Sequence, residues 1–184
     1  MGLGEPLRTV GGEWLRPAEP SQAAALYAAV DASREALAPW LPWCTARYTP
    51  ASAEAFLAES TLEHRTLIFS SHDSTAVLGA VSLMPVDRYD EVWKLGYWVR
   101  ADVQRRGLAR RAAATLCQAA FAASAVQRVS ILVAVGNAPS RRVAQALGAQ
   151  QEGVLKSRLL LPSGRHDAAI YGLMPEALAE DLRP

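Results

Sequence analysis

The chain has 184 residues, 51% of them hydrophobic, and its 19 basic residues nearly balance 18 acidic ones. This length and apolar content predict a single domain over residues 1–184, with a core at about 10–174. The balanced charge argues against a broad nucleic-acid-binding surface, which needs clustered basic residues in excess. The two cysteines lie far apart and the three histidines lack ligand spacing, so we expect no metal site.

The N-terminal residues show no basic segment followed by an apolar one, which a secretory signal would require. No apolar run approaches the length of a membrane span. We therefore expect a cytoplasmic protein that has no membrane partner.

The first half of the chain predicts strands and helices that end in an antiparallel meander. Two prolines interrupt the apolar segment 37–43, which predicts an irregular corner rather than a helix. Short turns at 72–74 and 87–90 leave no room for crossover connections, so the meander strands are expected to be antiparallel. The predicted strands are 10–15, 66–70, 76–84 and 92–100, and the predicted helices are 20–33 and 49 to about 64.

The second half changes to alternating helices and strands. From residue 109 the apolar positions recur at the three-four spacing of one buried helix face. Residues 129–135 are almost continuously apolar, as in a central strand covered on both faces. A further helix is expected between Asn137 and Gly148, followed by strands at 153–161 and 167–174 joined by a turn at 162–165.

Between the strand ending near residue 100 and the next helix lies a segment that predicts a phosphate-binding loop. A helix N-terminus exposes N–H groups without intrahelical partners, and its dipole favours anions. Gly107 and the small Ala109 would let a pyrophosphate approach the backbone, with arginines supplying positive charge. The alternative is a solvated basic helix start. The GxxxxGK[ST] loop and the GxGxxG fingerprint are both absent.

This segment, Gln104-Arg105-Arg106-Gly107-Leu108-Ala109, resembles the acetyl-CoA loop of the GNAT superfamily of N-acetyltransferases. Other segments resemble its RimJ/RimL branch, which includes enzymes that acetylate ribosomal-protein N-termini. They follow the branch in order: Ser33-Arg34 with Leu37, Trp40-Leu41-Pro42-Trp43, Leu95-Gly96-Tyr97-Trp98, Asn137-Ala138-Pro139-Ser140, Leu147-Gly148-Ala149 and Glu152-Gly153. The resemblance implies an α/β fold with a mixed, mostly antiparallel sheet, one splayed parallel pair, and helices on both faces.

The resemblance also implies how acetyl-CoA would be held. Pyrophosphate would bind to the loop residues, which are Gln104, Arg105, Arg106, Gly107, Leu108, Ala109 and Arg110. The pantetheine arm would pair with the backbone of Trp98 and Val99, and the Val99 N–H would stabilise the oxyanion. The alternative for Trp98 and Val99 is core packing, which is compatible with a main-chain role.

Two residues that follow the central strand carry implied roles beside the coenzyme. Asn137 would hold the pantetheine or, equally well, cap the following helix. Ser140 would donate a proton to the leaving thiolate, and the alternative is an ordinary first-turn serine. A thiol with a pKa of about 8.5 needs only modest help to leave.

The acceptor side is less defined. Trp40, Trp43, Tyr97 and Trp98 could line the acceptor cavity, although such aromatic residues are more often core. Where family members carry carboxylates that act as general bases, this chain has Lys94 and Leu159. Three hairpin acids remain candidates for the base, which stays unassigned: Asp87, Asp90 and Glu91.

The resemblance therefore implies an N-acetyltransferase that moves an acetyl group directly from acetyl-CoA to a primary amine in a ternary complex, without a metal. The acceptor would be a protein N-terminal amine or a small amine such as an antibiotic or a polyamine. The alternatives are an acyl-CoA sensor without turnover, an enzyme that uses succinyl-CoA, or an interaction domain without coenzyme. The resemblance also suggests a homodimer.

Overall fold

The computed structural model of the protein describes residues 3–58, 64–87, 89–123 and 126–182. These residues form one mixed sheet in the order β1-β2-β3-β4-β5-β6-β8-β7. The strands are β1 (Leu7–Arg8), β2 (Trp14–Pro17), β3 (His64–Phe69), β4 (Val77–Asp87), β5 (Val92–Val99), β6 (Arg128–Ala134), β7 (Gln150–Leu161) and β8 (Gly164–Leu173).

Helices cover the sheet on both faces. They are α1 (Ala23–Asp31), α2 (Arg34–Leu37), α3 (Pro50–Ala58), α4 (Leu108–Ala122) and α5 (Ala138–Ala146), and a short 3₁₀ turn (Ala101–Val103) follows β5. None of these helices combines the length and the apolar composition that a membrane crossing requires.

The side-chain alternation along β3 shows how the two faces are filled. Leu67 and Phe69 are buried in a cluster with α1, α2 and α3, whereas Ile68 between them is buried in a larger cluster with α4 and α5. Successive side chains of a strand point to opposite faces, so the sheet separates the two cores. The expected mixed sheet with helices on both faces is confirmed.

Neighbouring strands are antiparallel except β5 and β6, which run parallel. This pair is in register over only three positions, from Val92 opposite Arg128 to Lys94 opposite Ser130. The remaining residues of β5, 95–99, have no register partner on β6. We call the gap between residues 95–99 and the diverging end of β6 the β5–β6 opening; it is the splay that the resemblance implied.

Several element boundaries differ from the sequence expectations; for example, β7 begins at Gln150 and not at residue 153. The predicted first strand, 10–15, is mostly a turn between β1 and β2, where Thr9 N donates to Glu13 O at 2.8 Å. The predicted helix ending near residue 64 is described only to Ala58; residues 59–63 lie outside the described ranges, and His64 begins β3. The last hairpin turn is tighter than expected, because Gly164 and Arg165 already belong to β8.

Candidate active site

The β5–β6 opening presents main-chain groups of β5. Arg100 N donates to Leu78 O at 2.8 Å, which marks one hydrogen-bonded pair in the antiparallel ladder with β4. Such pairs alternate with non-hydrogen-bonded ones, so the main-chain groups of Trp98 point towards β4 and those of Tyr97 and Val99 point away from it. The Val99 N–H therefore faces the opening, as its expected role requires.

The same register corrects the expectation for Trp98. Trp98 lies opposite Ala80, and its main-chain groups belong to the β4 ladder. They are not available to a pantetheine arm in the opening, whereas those of Tyr97 are. The Trp98 side chain packs instead on the face covered by α1, α2 and α3.

The segment before α4 has the backbone of an anion-binding loop. Gly107 is the N-cap of α4 in the left-handed region, with φ 74° and ψ 3°, and Arg105 also has a positive φ of 61°. The helical ladder starts with Arg111 N, which donates to Gly107 O at 3.0 Å. The N–H groups of Leu108 and of the next two residues, Ala109 and Arg110, precede that ladder. Together with the helix dipole, these N–H groups form a site suited to a phosphate group, and we call this site the cradle.

Side chains anchor the loop at both ends. Gln104 Nε2 donates to Val99 O at 3.3 Å, so this side chain bridges the loop to the end of β5. Ala101 N donates to the buried hydroxyl of Ser33 at 3.0 Å, which fixes the start of the loop to the α1–α2 corner. Sequence reasoning singled out Gln104 but did not assign a partner to Ser33.

The arginines of the loop differ in their partners. Arg110 donates to Ala146 O at 2.8 Å and to both oxygens of Asp181 at 2.9 and 2.7 Å. Its guanidinium is thus engaged by the C-terminal segment, contrary to the expectation that it binds pyrophosphate, and only its main-chain N–H belongs to the cradle. Arg105 and Arg106 are exposed beside Gly107 and retain the expected position.

On the α5 side of the opening, a serine and a tyrosine meet. Asn137 Oδ1 accepts from Ser140 N at 3.2 Å, so Asn137 caps α5. The Tyr97 hydroxyl lies 2.9 Å from Ser140 O and 3.0 Å from Ser140 Oγ. Burial raises the pKa of Tyr97 to about 12, so the phenol keeps its proton at neutral pH. The carbonyl oxygen only accepts, and Tyr97 donates to it, which leaves the Ser140 hydroxyl proton free to rotate.

Aromatic side chains border the opening on the opposite face. The Trp43 ring lies 6.3 Å from that of Trp98 and 5.5 Å from that of Tyr48, measured between centroids. Trp40 packs over the loop after β6, where a Cβ on Gly136 would lie 3.7 Å from its ring. The segment 38–48 therefore reaches both strands that flank the opening, and we call it the aromatic segment.

The four expected acceptor residues are consequently divided. Trp40 and Trp43 lie on the aromatic segment, and Trp98 lies beside Trp43. The Tyr97 side chain instead packs against the cluster of α4 and α5 and contacts Ser140. The period-two alternation of β5 was the signal that could have separated Tyr97 from Trp98.

The general base stays unassigned. Lys94 is half-buried on β5 between Met84 and Ser130, and Leu159 is half-buried on β7. Glu91 is exposed in the β4–β5 turn, and the side chain of Asp87 lies outside the described part. Within the described ranges no three acidic, histidine or cysteine side chains cluster as metal ligands would.

The chain is similar in sequence to known acetyltransferases. Residues 14–150 match the family model described as "Acetyltransferase (GNAT) domain". A curated relative, "Putative ribosomal N-acetyltransferase YdaF" of Bacillus subtilis (strain 168), is 30% identical over 99 residues. The aligned region covers 54% of this chain and 54% of the relative, so it spans about half of the relative's length.

Solved structures share the fold. A RimL ribosomal L7/L12 α-N-protein acetyltransferase in complex with coenzyme A has a TM-score of 0.86 at 21% identity, covering 94% of this chain and 99% of that one. Mycobacterium smegmatis RimJ in complex with CoA-disulfide has a TM-score of 0.82 at 24% identity, covering 95% and 88%. The microcin C7 self-immunity acetyltransferase MccE with acetyl-CoA and AMP has a TM-score of 0.81 at 22% identity, covering 88% and 92%.

Proposed function

The chain belongs to the acetyltransferase (GNAT) domain family, and from that premise we propose that it transfers an acetyl group from acetyl-CoA to a primary amine. The observation that carries the proposal is the β5–β6 opening, which leads to the N-terminus of α4. An elongated molecule with a diphosphate at one end and a thioester at the other fits that combination of an unpaired strand edge and an anion site.

In this proposal the pyrophosphate binds to the N–H groups at the start of α4, with Arg105 and Arg106 supplying charge. The pantetheine arm extends along β5 and pairs with the main-chain groups of Tyr97 and Val99. The Val99 N–H donates to the thioester oxygen and stabilises the negative charge that develops there.

The chemical step needs a neutral amine on the side of the aromatic segment. Its lone pair attacks the thioester carbon, the C–N bond forms, and the C–S bond breaks. The Ser140 hydroxyl donates a proton to the leaving thiolate, and the proton lost by the amine restores the hydroxyl through water.

We propose a protein N-terminal amine as the acceptor, as the names of YdaF and RimL suggest for those proteins. An α-amine has a pKa of about 7.7–8.0 and is partly neutral near pH 7, whereas a lysine amine has a pKa of about 10.4. An acceptor of low pKa fits a site in which no general base is assigned. We also propose that the enzyme works in the cytoplasm.

A panel of acceptors tests this function, with release of free thiol from acetyl-CoA as the readout. We expect release that depends on peptides with a free N-terminus, and no release with the same peptides blocked at the N-terminus or with a polyamine. Coenzyme binding without amine-dependent release from acetyl-CoA or succinyl-CoA would instead support a sensor. A chain that binds no coenzyme in calorimetry would be an interaction domain.

We also propose that the protein forms a homodimer through β7. In the described sheet β7 is the edge strand next to β8, and it exposes three apolar side chains: Val154, Leu155 and Leu160. An exposed apolar edge strand is a ready site for pairing with a second chain. Light scattering should give twice the chain mass for the wild type and the single mass for Leu160→Asp. A monomeric wild type would contradict the proposal.

A further inference from the structure

We propose that Arg111 is a positioning residue that turns the Gly107 N–H towards the bound pyrophosphate. The inference rests on the proposed function, because it names what sets the shape of that coenzyme site. Arg111 belongs to the second turn of α4, and its guanidinium lies beside Gly107, where an added Cβ would be 2.9 Å from Nη1.

The key contact is made to the peptide group that precedes Gly107. Arg111 Nη1 donates to Arg106 O at 2.8 Å. In a planar trans peptide the carbonyl and the N–H point in opposite directions, and no described peptide bond is cis. The hydrogen bond draws the Arg106 carbonyl towards Arg111, so the Gly107 N–H points the other way, towards solvent at the start of α4. Arg106 and Gly107 are both exposed there.

A carboxylate in the β1–β2 turn holds Arg111 in place. Arg111 donates through Nε to Glu13 Oε2 at 3.1 Å and through Nη2 to Glu13 Oε1. Thr9 also donates to Glu13, and its hydroxyl accepts from Glu13 N at 3.1 Å. The side chains of Arg111 and Glu13 are only 23% and 16% exposed, so this bidentate pair is less screened than a surface ion pair.

The charge state of Glu13 supports the arrangement. Burial alone would raise the pKa of this carboxyl, but the hydrogen bonds from Arg111 and Thr9 outweigh burial and leave the pKa below its usual range. Glu13 therefore stays ionised at neutral pH and remains a partner for the guanidinium.

Gly11 makes room for the arginine. A Cβ at this position would lie 2.2 Å from Arg111 Nε, 2.6 Å from Glu13 Oε2 and 2.8 Å from Arg111 Cδ, so both side chains of the ion pair would have to move. Alanine at position 11 would thus displace the guanidinium from the Arg106 carbonyl without removing any charge. This separates our proposal from its rival, in which Arg111 only adds positive potential near the phosphates.

Calorimetry with coenzyme A and with pantetheine, which lacks the pyrophosphate, tests the proposal on the full chain. We expect Arg111→Met and Gly11→Ala each to raise the dissociation constant of coenzyme A at least about tenfold, the loss of one charge-assisted hydrogen bond. Pantetheine binding should not change. The matched control is Arg128→Met, which breaks an ion pair with Glu152 at the start of β6.

The outcomes separate the explanations. If Arg111→Met binds coenzyme A more weakly and Gly11→Ala does not, the positive charge of Arg111 explains the effect and the proposal is overturned. An equal loss of affinity for pantetheine, or unchanged coenzyme A binding in both variants, would also overturn it. If Arg111→Met does not fold, Gly11→Ala alone decides, because it keeps every charge.

A titration with inorganic pyrophosphate, followed by nuclear magnetic resonance at the Gly107 amide, needs no acyl donor. We expect a shift of this amide in the wild type and its loss in both variants. This result together with no acetyl transfer would refute the proposed function and still support the role of Arg111. No shift in the wild type would overturn the role itself.

Discussion

Gly107→Glu is expected to abolish measurable coenzyme A binding while the domain stays folded. The new carboxylate would stand at the N-terminus of α4, where it repels a pyrophosphate. The added Cβ would also lie 2.9 Å from Arg111 Nη1 and displace that guanidinium. A side chain at φ 74° costs about 1–2 kcal/mol, which is small beside the 5–15 kcal/mol typical of domain stability. Calorimetry should show no heat of coenzyme binding, and thermal unfolding should remain cooperative.

Gly164→Glu is the matched control for this variant. Gly164 also has a positive φ, 111°, but it lies in the β7–β8 hairpin with no atom within 4 Å of an added Cβ. The same charge is thus introduced at another glycine of positive φ away from the loop, and coenzyme affinity should be unaffected. Wild-type affinity in Gly107→Glu would remove the loop from the binding site.

Ser140→Ala is expected to lower turnover roughly a hundredfold, the scale of a lost general acid, and to leave coenzyme affinity nearly unchanged. The substitution removes the hydroxyl beside Tyr97 but keeps the Ser140 main-chain groups, which bond to Asn137 and to Tyr97. Steady-state kinetics and calorimetry on the same variant measure the two effects separately.

The choice of acetyl donor distinguishes an acid role from a structural one. The acetyl selenoester of the same coenzyme keeps the pyrophosphate and the pantetheine arm but releases a more acidic selenol that needs less protonation, so Ser140→Ala should lose much less activity with that donor than with acetyl-CoA. A structural defect would slow both donors equally. Normal turnover of acetyl-CoA by this variant would rule out Ser140 as the proton donor.

Much of the fold could be predicted from local patterns. The apolar spacing of α4 predicted its buried face correctly, including Ala112, Leu116 and Cys117. The Gly107 position was predictable because a left-handed N-cap before a helix favours glycine. The order of motifs along the chain then indicated the splay between β5 and β6, which no local pattern specifies.

Long-range partners were not predictable in the same way. Arg110 and Arg111 are adjacent in sequence, yet Arg110 pairs with Asp181 near the C-terminus and Arg111 with Glu13 near the N-terminus. Nothing in the local sequence indicates either partner, since both contacts depend on how distant segments pack. The β1–β2 turn that supplies Glu13 was itself predicted as a strand, although the adjacent Gly11 and Gly12 are typical of a turn.

The aromatic segment and α4 lie in separate parts of the chain and on opposite faces of the sheet. Substitutions at Trp40 or Trp43 would therefore reshape the proposed acceptor surface at a distance from the cradle around Gly107. Such a division lets a lineage acquire new acceptors while its donor chemistry stays constant. It also gives engineers a short stretch, residues 38–48, whose exposed positions can be varied in libraries, whereas the buried Cys44 and Tyr48 belong to the core.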